Sequence, residues 1–209
     1  MTTVHLIRHA KVAELRLDNP AKMNAFTVSM LAELAARLEV IERDAALAAV
    51  MVTATGERAF CTGADLNDCG DIPPAEFARH WVRDGHRIFD RLARLSKPTI
   101  AVLTGHAFGG GLELAAACDL RVMAPGASLA LAEAGIGIVP GWSGTQRLLL
   151  LLPEAMVKKM ALFGHRIKAD RALACSFVAS VDGNPAPWPR RCLTAPSPCR
   201  PAPWRSPNP

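Results

Sequence analysis

The sequence predicts an α/β fold with largely parallel strands, organised as one core domain. Short apolar runs typical of buried strands alternate along the chain with longer segments whose apolar residues recur at helical spacing. The chain has 209 residues, of which 50% are hydrophobic, so it is long enough to bury a sizeable core. We expect a core domain over residues 1–184 and an irregular tail over residues 185–209.

The first half of the chain predicts two strands and two helices. Residues 11–17 alternate between apolar and polar side chains, as in a strand with one solvent-exposed face, and residues 47–54 form an apolar run typical of a buried strand. Thr27 is expected to cap an amphipathic helix that ends near Arg43. A second helix is expected over residues 77–95, before the breaker pair Lys-Pro.

The second half continues the alternation. Strands are predicted over residues 99–104, 120–124, 128–131 and 177–181, and helices over residues 112–118, 145–152, 154–163 and 170–175. The five consecutive leucines at 148–152 cover all faces of their helix, so we expect that helix to be buried inside the subunit or against another subunit.

The glycines Gly109–Gly111 lie between the predicted strand 99–104 and the Ala- and Leu-rich helix 112–118. The first N–H groups of a helix lack intrahelical partners and glycine lets another molecule approach the backbone, so this turn is suited to an anion or a developing oxyanion. Glu113, in the first turn of the helix, indicates proton transfer beside that site. The alternative is that the glycines only allow tight strand–helix packing and that Glu113 complements the helix dipole.

Composition argues against several classes of protein. Of the 24 basic residues, four lie in residues 185–209, where no acidic residue occurs, and the other 20 nearly balance the 19 acidic residues, so we expect no nucleic-acid partner. We expect no membrane span, no secretory signal, no dinucleotide or P-loop motif and no metal site. The six cysteines form no CxxC pair, which favours a reducing, cytoplasmic compartment.

Four motifs occur in an order that resembles the enoyl-CoA hydratase/isomerase (crotonase) superfamily. They are Asn19–Phe26, Phe60–Leu66, Gly105–Asp119 and Glu133–Leu148, and the resemblance extends over about residues 4–181. It implies a spiral of β-β-α units, assembly into homotrimers or pairs of trimers, and a substrate carried as an acyl thioester of coenzyme A, with a role in fatty-acid metabolism. It implies no metal or redox cofactor.

The resemblance also implies roles for individual residues. The backbone N–H groups of Ala64 and Gly110 would hold the thioester oxygen as it becomes an enolate oxygen. Glu113 would activate water for attack on C3, and Glu133 would protonate C2. Because an isomerase can move its proton with one carboxylate, the pair favours a hydratase, with an isomerase or another crotonase-type acyl-CoA enzyme as the alternative.

The resemblance places substrate-binding residues at Lys22, Ala25, Ala64, Asp65, Leu66, Gly109, Gly110 and Gly141. Lys22 is a possible phosphate contact and could equally be only solvated. The polar segment 68–74, predicted to be a surface loop, would border the acyl pocket together with Trp81. His80 and His86 are expected to be solvated.

Residues 185–209 depart from the family pattern, because 25 residues there include nine prolines. Proline at this density excludes a helix, where the family continues into helices that close the site and build trimer contacts. We expect either a frameshift or truncation product or a native Pro-rich extension. If the closing helices are missing, the chain could be a catalytically impaired acyl-CoA-binding protein.

Overall fold

The computed structural model describes residues 2–70 and 72–185 and confirms the α/β architecture. The strands are β1 (Thr3–His9), β2 (Val12–Asp18), β3 (Ala49–Ala54), β4 (Ala59–Cys61), β5 (Thr99–Leu103), β6 (His106–Phe108), β7 (Leu120–Met123), β8 (Ser128–Ala130), β9 (Ile167–Lys168) and β10 (Ser180–Val181). The helices are α1 (Val28–Arg43), α2 (Leu66–Cys69), α3 (Pro74–Glu76), α4 (Arg83–Ala93), α5 (Gly110–Ala116), α6 (Gly144–Leu151), α7 (Glu154–Phe163) and α8 (Ala169–Ala174). π-Helical turns over Phe77–Val82 join α3 to α4. The predicted tail, apart from Pro185, lies outside the described residues.

Within these residues the strands form two sheets, and most pairs are parallel as predicted. The larger sheet has the order β1-β2-β3-β5-β7-β10, in which only the β1–β2 pair is antiparallel. The smaller sheet has the order β4-β6-β8-β9, in which only the β8–β9 pair is antiparallel. The ends of β4, β6 and β8 lead directly into the motifs that carry the candidate site residues.

Several short or exposed strands were absent from the sequence-based prediction. Apolar and polar side chains do not alternate regularly along β1, because this strand pairs antiparallel with β2 at the sheet edge and exposes several polar side chains. β4 and β6 have three residues each, which is too short for a period of two to be recognised. Gly105 allows β6 to approach β4, because a Cβ there would lie 2.4 Å from the backbone carbon of Arg58.

The long helices are where the sequence predicts them. The Thr27 hydroxyl accepts a hydrogen bond from the Met30 N–H at 3.2 Å and so caps α1, as predicted. The predicted helix over residues 77–95 is also present, but it begins earlier, at Pro74. The prediction of a loop over residues 68–74 is therefore wrong at both of its ends, since α2 includes Asp68 and α3 begins at Pro74; Asp71 lies outside the described residues.

The leucine-rich helix α6 is only partly buried within the subunit. Leu148 and Leu152 are buried, whereas Leu150 is 87% exposed. Phe163, at the end of α7, is 80% exposed. Among the described residues, none of the helices is both long and apolar enough to cross a bilayer.

A buried arginine ties the larger sheet to the chain that follows α8. The Arg121 guanidinium, on β7, donates hydrogen bonds to the carbonyl oxygens of Phe177 at 2.6 Å and Cys118 at 2.7 Å. Its charge also lies 4.7 Å above the Phe177 ring. Burial lowers the pKa of Arg121, but these acceptors compensate the buried cation.

Candidate active site

The glycine-rich turn precedes α5, as the sequence predicts, but it follows the unpredicted strand β6 rather than β5. Its glycines have different neighbours. A Cβ on Gly111 would lie 2.1 Å from the carbonyl oxygen of Cys61, so this glycine serves the tight packing of α5 on β4. Gly109 has φ +50°, and a Cβ there would lie 2.7 Å from Oε1 of Glu133. The turn therefore allows both strand–helix packing and close approach of a carboxylate to the backbone.

Two backbone N–H groups without acceptors belong to the two turns that meet at the start of α5. Gly63, with φ +97°, carries the turn after β4 so close to the helix that a Cβ on it would lie 3.2 Å from the Gly110 nitrogen. The turn is held by a short bridge, in which the Phe26 N–H donates to the Gly63 oxygen at 2.7 Å. In the part of the chain that the structure describes, neither the Ala64 N–H nor the Gly110 N–H donates a hydrogen bond. Both are free to bind an oxygen atom.

Glu113 lies in the first turn of α5, as predicted, and its carboxylate is 2% exposed. Its Oε1 accepts hydrogen bonds from the Trp142 N–H at 2.9 Å and the Gly144 N–H at 2.7 Å. Burial raises the pKa of Glu113 to about 7, and the nearby charge of Glu133 acts in the same direction. A carboxylate with this pKa can accept or release a proton near neutral pH.

Glu133 follows β8 and begins a 3₁₀ turn over Glu133–Ile136. Its side chain packs against Gly109, and burial raises its pKa above the usual range. Within the described residues, its Oε2 is buried without a hydrogen-bond partner. The structure thus brings Glu113 and Glu133 to the same glycine turn, although they are 20 residues apart in the chain.

A hydrogen-bonded network anchors the loop that holds Glu113. Ser143 has φ +69°, and its hydroxyl contacts Nδ1 of His86 at 2.5 Å. His86 Nε2 lies 3.4 Å from Asp90, which also pairs with Arg147. Arg147 donates in turn to the Trp142 carbonyl oxygen at 2.8 Å. Both histidines are partly exposed as expected, since 44% of the His86 side chain and 67% of the His80 side chain are accessible, but His86 is also held in this network by its contact with Ser143.

The Trp142 indole fills the space beside the glycine turn. Its ring centroid lies 5.0 Å from that of Phe89, 5.2 Å from Trp81 and 5.9 Å from Phe26. A Cβ on Gly110 would lie 2.5 Å from its Cζ3 atom. The sequence includes Trp142 in a motif, but the partners of its ring come from distant parts of the chain, so no local pattern predicts this packing.

The other predicted binding residues differ in their exposure and contacts. Ala25 is buried beside Phe26, whereas Lys22 is exposed in the 3₁₀ turn Pro20–Lys22. Asp65 caps α2 by accepting from the Asn67 N–H at 3.1 Å, and Leu66 is exposed. Gly141 approaches Val82, since a Cβ on it would lie 3.5 Å from Cγ1 of that residue.

An apolar cavity of about 430 Å³ lies between α1 and α4. Its lining includes Ile72, from the segment predicted to border an acyl pocket, and Trp81. Neither Glu113 nor Glu133 lines this cavity. Trp81 also contacts Trp142, which does not line the cavity and packs against Gly110 of the glycine turn.

Comparison with known proteins identifies relatives over most of the chain. The family model for enoyl-CoA hydratase/isomerase matches residues 8–185. The short-chain-enoyl-CoA hydratase of Clostridium acetobutylicum is 36% identical over 87% of this chain and 69% of its own length, and the crotonyl-CoA hydratase of Syntrophomonas wolfei is 34% identical over 84% of this chain and 67% of its own. The crystal structure of an enoyl-CoA hydratase from Bacillus anthracis superposes with a TM-score of 0.84 at 32% identity, covering 91% of this chain and 73% of that one. The chain thus spans about two thirds of the length of these curated relatives.

Proposed function

The chain belongs to the enoyl-CoA hydratase/isomerase family, and we propose that it is a hydratase that adds water across the 2,3 double bond of a 2-enoyl-CoA thioester. The observation that carries the proposal is the meeting of two buried carboxylates with two unpaired backbone N–H groups at one glycine turn. An isomerase needs a single carboxylate for its proton shuttle, so the second buried carboxylate favours hydration.

The proposed oxyanion hole consists of the N–H groups of Ala64 and Gly110. The thioester oxygen would accept both hydrogen bonds, and these would strengthen as the oxygen becomes an enolate oxygen. Loss of one such donor typically costs about 2.7–4 kcal/mol of transition-state stabilisation. The pair could therefore supply a large share of the rate enhancement without any metal or redox cofactor, with coenzyme A serving only as the carrier of the substrate.

The proposed proton transfers use the two glutamates. Ionised Glu113 would take a proton from the water whose oxygen forms the new bond to C3, and protonated Glu133 would give a proton to C2. Burial raises the pKa of both glutamates, so the pair can hold and pass on a proton near neutral pH, and the family resemblance assigns the role of each. Because the two groups are coupled, the pair rather than either residue would determine the pH profile.

We further propose that the protein works as a homotrimer or a pair of trimers in the cytoplasm. The exposed apolar side chains Val139, Leu150 and Phe163 support an interface between copies of the chain, because they leave apolar surface that association would cover. The four cysteines of the described residues are free thiols, which suits a reducing compartment. The acyl-CoA thioester is the proposed small-molecule partner, and neither nucleic acid nor membrane has a part in the proposal.

The experiment that tests the proposal follows the loss of the enoyl-thioester absorbance of crotonyl-CoA. We expect the parent chain to turn over and Glu113→Gln and Glu133→Gln each to lose about 10²–10⁴-fold in kcat. Glu154→Gln, which changes an exposed carboxylate on α7, is the matched control and should leave kcat unchanged. A folded parent chain without turnover would refute the hydratase proposal and leave an acyl-CoA-binding protein.

A further inference from the structure

The Trp142 indole is buried and held in place by contacts from several elements. It is 4% exposed, and its Nε1 donates to the Trp81 carbonyl oxygen at 3.3 Å. Gly85 on α4 makes room for it, because a Cβ there would lie 2.1 Å from Nε1. Gly85 on α4 and Gly110 on α5 therefore both leave room for this one ring.

The indole lies directly beside the proposed reaction centre. Its Cζ3 atom packs against Gly110, whose N–H would bind the thioester oxygen, and its own backbone N–H binds Glu113. An acyl group that places C2 and C3 between the glutamates would extend next to this ring. The rigid ring thus restricts the volume available to the acyl group near its reacting carbons.

Apolar space continues on the far side of the tryptophans. The cavity of about 430 Å³ is lined by apolar residues of α1, including Leu31, and by Ile88 of α4. Trp81 contacts Trp142 with one part of its surface and lines the cavity with another. A volume suited to an alkyl chain is therefore present, and its lining includes Trp81 but neither glutamate.

We propose that Trp142 determines specificity by ending the acyl pocket, so that the site takes short-chain 2-enoyl-CoA thioesters and excludes longer ones. The inference rests on the proposed function and adds the substrate class and the residue that sets it. A methylene that becomes buried on binding contributes about fourfold in affinity. In the parent chain the indole leaves no space for the methylenes of a longer acyl group, so these methylenes do not increase the affinity.

The test compares butyryl-CoA with octanoyl-CoA in calorimetric titrations of the full chain. Neither saturated thioester is a substrate for hydration, so the readout is independent of turnover. We expect the parent chain to bind octanoyl-CoA no more tightly than butyryl-CoA. In Trp142→Ala the ratio should shift by about tenfold or more towards octanoyl-CoA, as about two methylenes become buried. Trp142→Phe keeps an aromatic wall and should retain the preference of the parent chain.

The possible results separate the inference from the function on which it rests. Tighter binding of octanoyl-CoA by the parent chain, by tenfold or more, would refute the role of Trp142 even if Trp142→Ala fails to fold. An unchanged ratio in folded Trp142→Ala would refute it as well. Failure of the parent chain to bind either thioester would overturn the proposed function and the inference together, whereas a parent chain that turns over crotonyl-CoA but binds octanoyl-CoA tenfold more tightly than butyryl-CoA would overturn the inference alone.

Discussion

Replacement of Glu113 by Gln should stabilise the protein more at pH 8 than at pH 5, although it removes the proposed catalytic base. The reason is that the folded state buries this carboxyl and raises its pKa from 4.5 to about 7. A group whose pKa is higher in the folded than in the unfolded state binds more protons when folded. Its contribution to stability is therefore complete below about pH 4.5 and is lost as the pH rises through about 7.

The magnitude follows from the size of the pKa change. Each tenfold change in proton affinity corresponds to about 1.4 kcal/mol, so the ionised carboxylate costs the folded state about 3 kcal/mol at pH 8. At pH 5 the same group costs about 1 kcal/mol, because the folded protein keeps it protonated. Any cost of placing an amide at this position is the same at both pH values. The gain from Glu113→Gln should therefore be about 2 kcal/mol larger at pH 8 than at pH 5.

Urea denaturation at the two pH values, followed by tryptophan fluorescence, measures this difference. Glu154→Gln is the control, because Lys158 lowers the pKa of that exposed carboxyl instead of raising it. Its replacement should therefore not increase the free energy of unfolding at pH 8. A gain in stability of Glu113→Gln over the parent chain that is no larger at pH 8 than at pH 5 would contradict this expectation. Burial of the ionised carboxylate would then carry no cost in free energy of unfolding. The argument from its pKa to its role as a base would then fail.

Substitutions at four further positions test the surroundings of the site and the buried arginine of the larger sheet. Gly144→Ala would place a Cβ 2.4 Å from Cγ of Glu113, so we expect about a hundredfold loss of kcat/KM for crotonyl-CoA; an unchanged value would show that the carboxylate needs no exact position. Ser143→Gly suits the backbone at φ +69° but removes the contact with His86, so Tm should be unchanged while kcat falls several-fold. His86→Asn should retain more activity than His86→Ala. Equal losses in the two His86 variants would contradict a positioning role. Arg121→Met leaves buried carbonyl oxygens without donors and should cost about 3 kcal/mol in urea denaturation, whereas a loss under about 1 kcal/mol would contradict its structural role.

The sequence predicted those elements in which local signals and tertiary packing agree. The helix α1 has a capping Thr27 and an apolar stripe, and α7 ends at Gly164 in a left-handed conformation, as its sequence suggests. The three-residue strands β4 and β6 could not be predicted, because they exist only through pairing with each other and with β8. Periodicity carries no information at that length.

The candidate site likewise combines features with a local sequence signal and contacts that form only in the folded chain. Glu113 and the glycine turn were predictable, since a glycine-rich turn is followed directly by a helical segment, although the strand just before the turn is the unpredicted β6. The contact between His86 and Ser143 joins residues 57 positions apart, and no local pattern encodes it. The packing of Trp142 is hidden for the same reason, although the small residue Gly85 on an otherwise good helix was a signal that something packs closely there.

The most direct test of the central claim is the identity of the product formed from crotonyl-CoA in ¹⁸O-labelled water. Mass spectrometry should show a 3-hydroxyacyl-CoA in which one water has been added, with its oxygen derived from the solvent and the thioester intact. In Glu113→Gln and Glu133→Gln the labelled product should form about 10²–10⁴-fold more slowly than in the parent chain. An unchanged substrate mass with a moved double bond, or release of free coenzyme A, would contradict hydration by this pair of glutamates.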